Sequence, residues 1–136
     1  MELSKLMVNT KSAWVKYPGL SGLEVEFVNL SRPELTSLRK KCTVTKFDRK
    51  TRKPVEDLDE DMFIEEFTLK TIKNWKGMKL KYLEHFILVD LGDADPESEL
   101  EFTTENAVLL VKNSADFDGW VNDVVFDLEN FRTRTD

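Results

Sequence analysis

The stretch Leu23-Glu24-Val25-Glu26-Phe27-Val28-Asn29-Leu30-Ser31-Arg32-Pro33-Glu34-Leu35 changes its periodicity part-way along, and that change decides the fold class. Leu23, Val25 and Phe27 alternate with Glu24 and Glu26. A strand built from them has one apolar face and holds both carboxylates in water. After Leu30 the spacing becomes helical. Ser31 and Glu34 stand at capping-box spacing, and Leu30 with Leu35 at the spacing of a hydrophobic staple. Arg32 is the competing cap, because a residue before proline resists helical angles. The helix expected near 33–43 buries Leu35, Leu38 and Cys42 at i, i+3 and i+7.

Toward the N-terminus, Trp14-Val15-Lys16-Tyr17 reads as extended and Pro18-Gly19-Leu20-Ser21-Gly22 as a turn, giving a hairpin over about 13–28. Residues 1–12 hold Leu3, Leu6, Met7 and Val8 without a decisive period and form an arm or an edge strand. Toward the C-terminus, Val44 to Glu56 reads as a small exposed hairpin or a long loop. Asp57 or Asp59 caps a helix over 59–75, with acids in its first turn where the dipole favours them. Ile64, Phe67, Thr71 and Trp75 share a helical stripe about 80° wide. Gly77 is the expected stop. A helix over 81–89 is apolar almost all round and belongs in the middle of the core.

Asp90 to Phe102 is an acidic loop, after which Thr103 or Thr104 caps a helix over 104–112. Ser114 or Asp116 opens a last helix over 115–131, where Phe117, Trp120, Val121, Val124, Leu128 and Phe131 form the clearest amphipathic stripe in the chain. Phe126 projects about 180° from that stripe, beside Asp123, Asp127 and Glu129. Its ring therefore faces a partner, stands exposed, or lies under the N-terminal arm. The expected core includes Phe27, Leu38, Phe67, Trp75, Phe86, Leu110, Trp120 and Val124. The architecture is α+β, a single mainly helical domain over 13–131 with an N-terminal hairpin, a second small basic hairpin or loop, and a tail at 132–136.

Composition agrees with one domain: 136 residues, 40 % apolar and 34 % charged. No apolar run approaches the roughly 18 residues of a membrane span. Met1-Glu2-Leu3-Ser4-Lys5 lacks the layout of a secretion signal, so a soluble intracellular domain is expected, with no membrane partner. Reactive residues are few. Cys42 is the one cysteine and His85 the one histidine, which removes an intrachain disulfide, a cysteine-based zinc cage and any two-histidine metal site. Cys42 reads as a small core residue and His85 as a helix-surface or partly buried one. Asp57-x-Asp59-x-Asp61 and Asp93-x-Asp95-x-Glu97 imitate the start of a calcium loop, but Met62 and Ser98 replace its glycine, and Thr68 and Thr104 its last carboxylate. No phosphate-cradling glycine motif occurs. No cofactor, metal or catalytic residue is expected, and the chain reads as a non-enzyme.

Charge is segregated. Residues 39–53 hold eight Lys or Arg against Asp48, a net +7, while the remaining chain has 12 basic and 25 acidic residues, a net −13. A basic finger on an acidic body suits an acidic protein surface, self-association or phosphates, or else a solvated loop balancing the acids of 56–66. Nucleic acid is not the expected partner, because Phe47 is the lone aromatic there and the acidic body repels phosphates. Arg49, Lys50, Arg52 and Lys53 are the candidate contacts to a neighbouring copy or a client, together with Phe126.

Several stretches, in order, resemble one family. They are Ala13-Trp14-Val15 with Pro18-Gly19; Leu30-Ser31-Arg32-Pro33-Glu34-Leu35-x-x-Leu38-Arg39-Lys40-Lys41; Thr45-Lys46-Phe47-Asp48-Arg49-Lys50-Thr51; Ile72-x-x-Trp75-x-Gly77; and Asp116-Phe117-x-x-Trp120-Val121. Across 13–131 the chain is similar to the tail assembly chaperones of long, flexible-tailed (siphovirus-type) bacteriophages, encoded just before the tape measure protein. The resemblance implies a mainly helical, non-enzymatic protein of the host cytoplasm. Such a protein binds the tape measure protein, keeps it soluble, helps recruit tail tube protein and is absent from the mature virion. Many relatives also have a longer frameshifted product, of which this chain would correspond to the short form. Two other classes compete: a small acidic phage protein that inhibits a host nucleic-acid enzyme by mimicking DNA, and a hydrolase with converging carboxylates in a deep pocket.

Overall fold

The structure is a computed structural model that describes residues 2–8 and 11–132. The expectations placed on Met1, Asn9, Thr10 and residues 133–136 lie outside the described residues. A single 3-10 turn, Leu3–Lys5, precedes the first strand. β1 (Ser12–Lys16) and β2 (Glu24–Val28) form the expected N-terminal hairpin, and the fold is mixed α+β with an N-terminal hairpin and mostly helical elements after it.

β2 occupies the centre of a three-stranded antiparallel sheet, flanked by β1 and β5 (Ile72–Lys76). Leu23, Val25 and Phe27 are fully buried, as the alternation requires. β5 is a correction to the sequence reading, which carried one helix through to residue 75. Instead α2 (Glu60–Thr71) stops where Thr71 and Ile72 place two β-branched residues in succession, and the chain pairs with the free edge of β2. Ile72 lies opposite Phe27 and Trp75 opposite Val25, with a register irregularity between them. That bulge puts two residues three apart on one sheet face, a spacing that imitates a helix. The Glu24–Lys76 pair joins the two strands on the outer face at 3.3 Å, and the Lys76 ammonium lies 4.7 Å from the Trp14 ring centroid.

Gly77 therefore terminates a strand and not a helix. It sits at φ +73°, and a Cβ there would overlap the carbonyl of Gly22, so the β1–β2 turn and the end of β5 approach each other only through glycine.

The helix starts follow their caps. α1 (Arg32–Lys41) begins at Ser31, whose hydroxyl accepts from Glu34 N while the Glu34 carboxylate accepts from Ser31 N, both at 3.3 Å. Arg32 is therefore inside the helix. Asp59 accepts from Met62 N at 3.1 Å for α2, and Thr103 from Asn106 N at 3.0 Å for α4 (Thr104–Asn113). The buried Ser114 closes α4 and caps α5 (Ala115–Val125) through Phe117 N.

Two helices are shorter than their apolar patterns suggest. The segment expected as a helix over 81–89 is a 3-10 turn, Leu80–Tyr82, running into the single-turn α3 (Leu83–Phe86). Leu83 and Phe86 are buried, but the chain is extended from Ile87 and Leu88 is fully exposed. α5 ends at Val125, followed by a 3-10 turn over Leu128–Phe131, so Phe131 reaches the core while Leu128 does not. Leu109 is likewise exposed on the apolar α4.

Of the expected core, Phe27, Leu38, Phe67, Trp75, Phe86, Leu110 and Val124 are buried, whereas Trp120 is half-buried. Trp120 nevertheless ties the sheet to α5, with its ring centroid 4.8 Å from Tyr17 and 5.1 Å from Phe27. Among the described residues, no helix is long and apolar enough to cross a membrane.

Gly77→Ala is expected to lower stability by about 1–3 kcal/mol, since alanine resists the left-handed conformation and its methyl meets the Gly22 carbonyl. Thermal unfolding measures it, with Gly19→Ala as the comparison: Gly19 has a similar φ but nothing within 4 Å of an added Cβ.

Candidate protein-binding site

The basic segment folds as a hairpin. β3 (Thr43–Phe47) and β4 (Pro54–Leu58) pair antiparallel as a separate two-stranded sheet. Asp48 shapes the tip: its carboxylate accepts from Lys50 N at 2.9 Å, and its carbonyl accepts from Arg52 N at 2.8 Å. Arg52 takes a left-handed conformation at φ +58°. Arg49, Lys50, Arg52 and Lys53 are thereby gathered on one exposed turn.

The solvated-loop reading predicts that these cations balance acids of 56–66. Balancing occurs along the ribbon, where Lys46 of β3 pairs with Asp57 of β4 at 3.2 Å, and between the helices, where Lys41 pairs with Glu66 at 3.1 Å. None of the four tip cations forms an ion pair with a described residue. Phe47, at 67 % exposure, stands beside the tip, with Val55 exposed on the other strand.

The second feature is an apolar groove of about 950 Å³ between the N-terminal arm, the start of α1 and the end of α5. Met7 and Val8 form one wall, Leu30 and Leu35 the α1 side, and Phe126 and Leu128 the other wall. The two residues of the hydrophobic staple thus also line the groove. Phe126 is the C-cap of α5, its N–H still donating to Asn122 O, and its ring lies toward Phe67 of α2 instead of standing free among the acids of the polar face as the sequence reading expects. One side rests 6.3 Å from the Phe67 ring centroid, and 44 % of the residue remains exposed. The arm faces Phe126 across the groove and leaves it open. Leu128 contributes more apolar surface at 62 % exposure. Sequence reasoning placed Leu128 in the core stripe and so missed it as a site residue; Asp127, whose carboxylate accepts from Glu129 N at 3.0 Å, was the local signal that a new turn starts there.

The chemistry-bearing residues stay apart. Cys42 is fully buried, and burial, aided by Glu66, pushes its thiol pKa up and disfavours the reactive thiolate. His85 is exposed, with Nε2 3.3 Å from the Tyr17 hydroxyl. The acidic runs serve the backbone: Asp59 caps α2, Asp90 accepts from Gly92 N at 3.0 Å, and Asp95 from Glu97 N at 2.9 Å. Among the described residues no group of three or more His, Cys, Asp or Glu is placed to hold a metal ion.

No protein-family model matches the chain, and no curated protein or solved structure matches it.

The exposed and buried rings should separate in stability. Phe126→Ala is expected to cost about 1 kcal/mol, because only one side of the ring is packed, against about 3–5 kcal/mol for Phe67→Ala. Denaturant unfolding of both variants checks this order.

Proposed function

We propose that this chain is a tail assembly chaperone of a long, flexible-tailed phage. It binds the tape measure protein, keeps that chain soluble and helps recruit tail tube subunits. It acts in the host cytoplasm, catalyses no reaction and is left out of the finished virion. The observation that carries the reading is the groove beside Phe126, walled by Met7, Val8, Leu35, Phe126 and Leu128 with Arg32 and Glu34 on its α1 side, in a domain with a core of its own. Exposed apolar surface of this kind marks a binding site. The ordered resemblance over 13–131 supplies the client's identity.

The groove's chemistry suits an amphipathic helix. Met7, Val8, Phe126 and Leu128 receive apolar side chains, and Arg32 and Glu34 on the α1 side offer one charge of each sign to the polar edge of such a helix. Recognition of that kind reads pattern more than sequence, which a long repetitive client requires. Each ring or leucine covered by the client contributes about 1.5–3 kcal/mol before the cost of association.

Co-expression with the tape measure protein encoded downstream tests the proposal. The wild-type chain is expected to keep the client in the soluble fraction and to co-purify with it. Phe126→Asp together with Leu128→Asp should weaken that association at least about tenfold while the domain stays folded. A client equally soluble with the double variant, or a downstream gene that encodes no long helical protein, would overturn the reading.

A further inference from the structure

Asp118, Asn122 and Phe126 are spaced four apart on α5 and its C-cap, so they form one stripe along that helix. Phe126 lines the groove described above, while Asp118 and Asn122 line a second cavity of about 550 Å³ between α2 and the α4–α5 junction. The two depressions are neighbours. Phe67 and Phe63 line the second one, and the rings of Phe126, Phe67 and Phe63 follow one another at centroid spacings of 6.3 and 5.8 Å. By helical rise Asp118 stands about 12 Å along α5 from Phe126.

This second cavity is apolar on its α2 side, where Phe63 and Ile64 are half-buried, and offers acceptors on its α5 side. Asn122 Nδ2 donates to Asp118 O at 2.8 Å and to Asp118 Oδ1 at 3.2 Å. The Asn122 amide oxygen and the second Asp118 carboxylate oxygen have no partner among the described residues. Two charged residues line the cavity, Asp118 and Lys112, and Lys112 is held by Asp61 at 3.2 Å. Arg39 lies over the Phe63 ring, 5.9 Å from its centroid, outside that lining, and neither cation forms an ion pair with Asp118. The C-terminus of α4 and the N-terminus of α5 meet here with opposite dipole ends, so the side chains set the sign of the site. Burial raises the Asp118 pKa above the ordinary carboxylate value, although the Asn122 hydrogen bond opposes it. A cation brought to this carboxylate relieves that penalty with a charge-assisted hydrogen bond.

We propose that this cavity receives one Lys or Arg side chain of the client helix seated in the groove, about seven or eight residues from the apolar side chain that covers Phe126. The proposal rests on the reading of the groove as the client's seat. Two helical turns separate those client positions and keep them on one face, which matches the distance from Phe126 to Asp118. The aliphatic stem of the basic residue packs on Phe63 and Ile64, and its charged head donates to the Asp118 carboxylate and the Asn122 amide oxygen. Asn122 is the positioning residue, since it holds one carboxylate oxygen of Asp118 and leaves the other to the ligand. The groove thus selects an apolar face, and the cavity selects the register at which that face binds. A client helix with Glu at this position meets like charge, which is discrimination by repulsion as well as by attraction.

Overlapping helical peptides covering the protein encoded downstream, titrated with the full chain and read by fluorescence anisotropy, test the contact. The peptides that bind are expected to carry Lys or Arg about seven or eight residues from an apolar anchor, and replacing that basic residue by Gln should weaken binding about tenfold. Asp118→Asn should weaken the unaltered peptide by about the same factor and make the Gln replacement silent, because both changes remove one and the same ion pair. Asp116→Asn removes an equal charge from an exposed position of α5 outside the cavity and should leave affinity unchanged. Circular dichroism checks that the Asp118 variant folds, and the Gln peptide probes the same contact with the chain unaltered. Binding that is lost in the Phe126→Asp, Leu128→Asp double variant but indifferent to Asp118→Asn would overturn the cavity's role and leave the groove standing. So would a Gln replacement that costs as much in the Asp118 variant as in the wild type. A set in which no peptide binds, or in which binding ignores the double variant, overturns the groove reading and this contact with it.

Discussion

The pairing of β5 with the inner edge of β2 is the constraint on which the rest of the structure depends. Without it, β1 and β2 are an isolated hairpin with Val25 and Phe27 on a bare face. With it, Ile72 and Trp75 extend that face, and the helices have a three-stranded floor to cover. The same pairing brings Gly77 against Gly22 and leads the chain directly to Met78, Leu83 and Phe86. The ring contacts of Tyr17 with Phe86 at 5.1 Å and Phe86 with Phe117 at 5.3 Å then weld hairpin, α3 and α5 into one core.

This closed core leaves a set of apolar and charged side chains outside it. Cys42, Thr68, Thr71 and Ser114 are buried, and the three hydroxyls all reach backbone partners: Thr68 and Thr71 donate to carbonyls one turn earlier, and Ser114 caps its own helix. Their hydrogen-bonding capacity is spent on the fold. Surplus apolar and charged area stands outside, at Phe47, Leu88, Phe126 and Leu128 and at the hairpin tip.

Where local physics is strong, the sequence was readable. The alternation of Leu23, Val25 and Phe27, the capping box of Ser31 and Glu34, the cap of Asp59 and the concentration of charge in 49–53 all appear in the structure as their chemistry requires. Errors arose where one pattern suits two geometries. The i, i+3 spacing of Ile72 and Trp75 fits a helix, but a bulge gives the same spacing in a strand, and only the open edge of β2 selects between them. The apolar run around Leu83–Leu88 holds more hydrophobic residues than the core has room for, so Leu88 is left in water. The stripe from Phe117 to Phe131 continues on paper past the real end of α5 at Val125; the break moved Leu128 to the surface.

The sequence by itself determined the class of the fold, two candidate caps for each of four helices and the separation of a basic segment from an acidic body, because these depend on neighbours within a few residues. Tertiary structure alone decided which strand completes the sheet, where α3 and α5 stop and which apolar residues remain outside. Those outcomes are competitions for a finite amount of buried surface. A residue such as Leu88 or Leu128 is excluded only by what other segments, distant in the chain, have already filled.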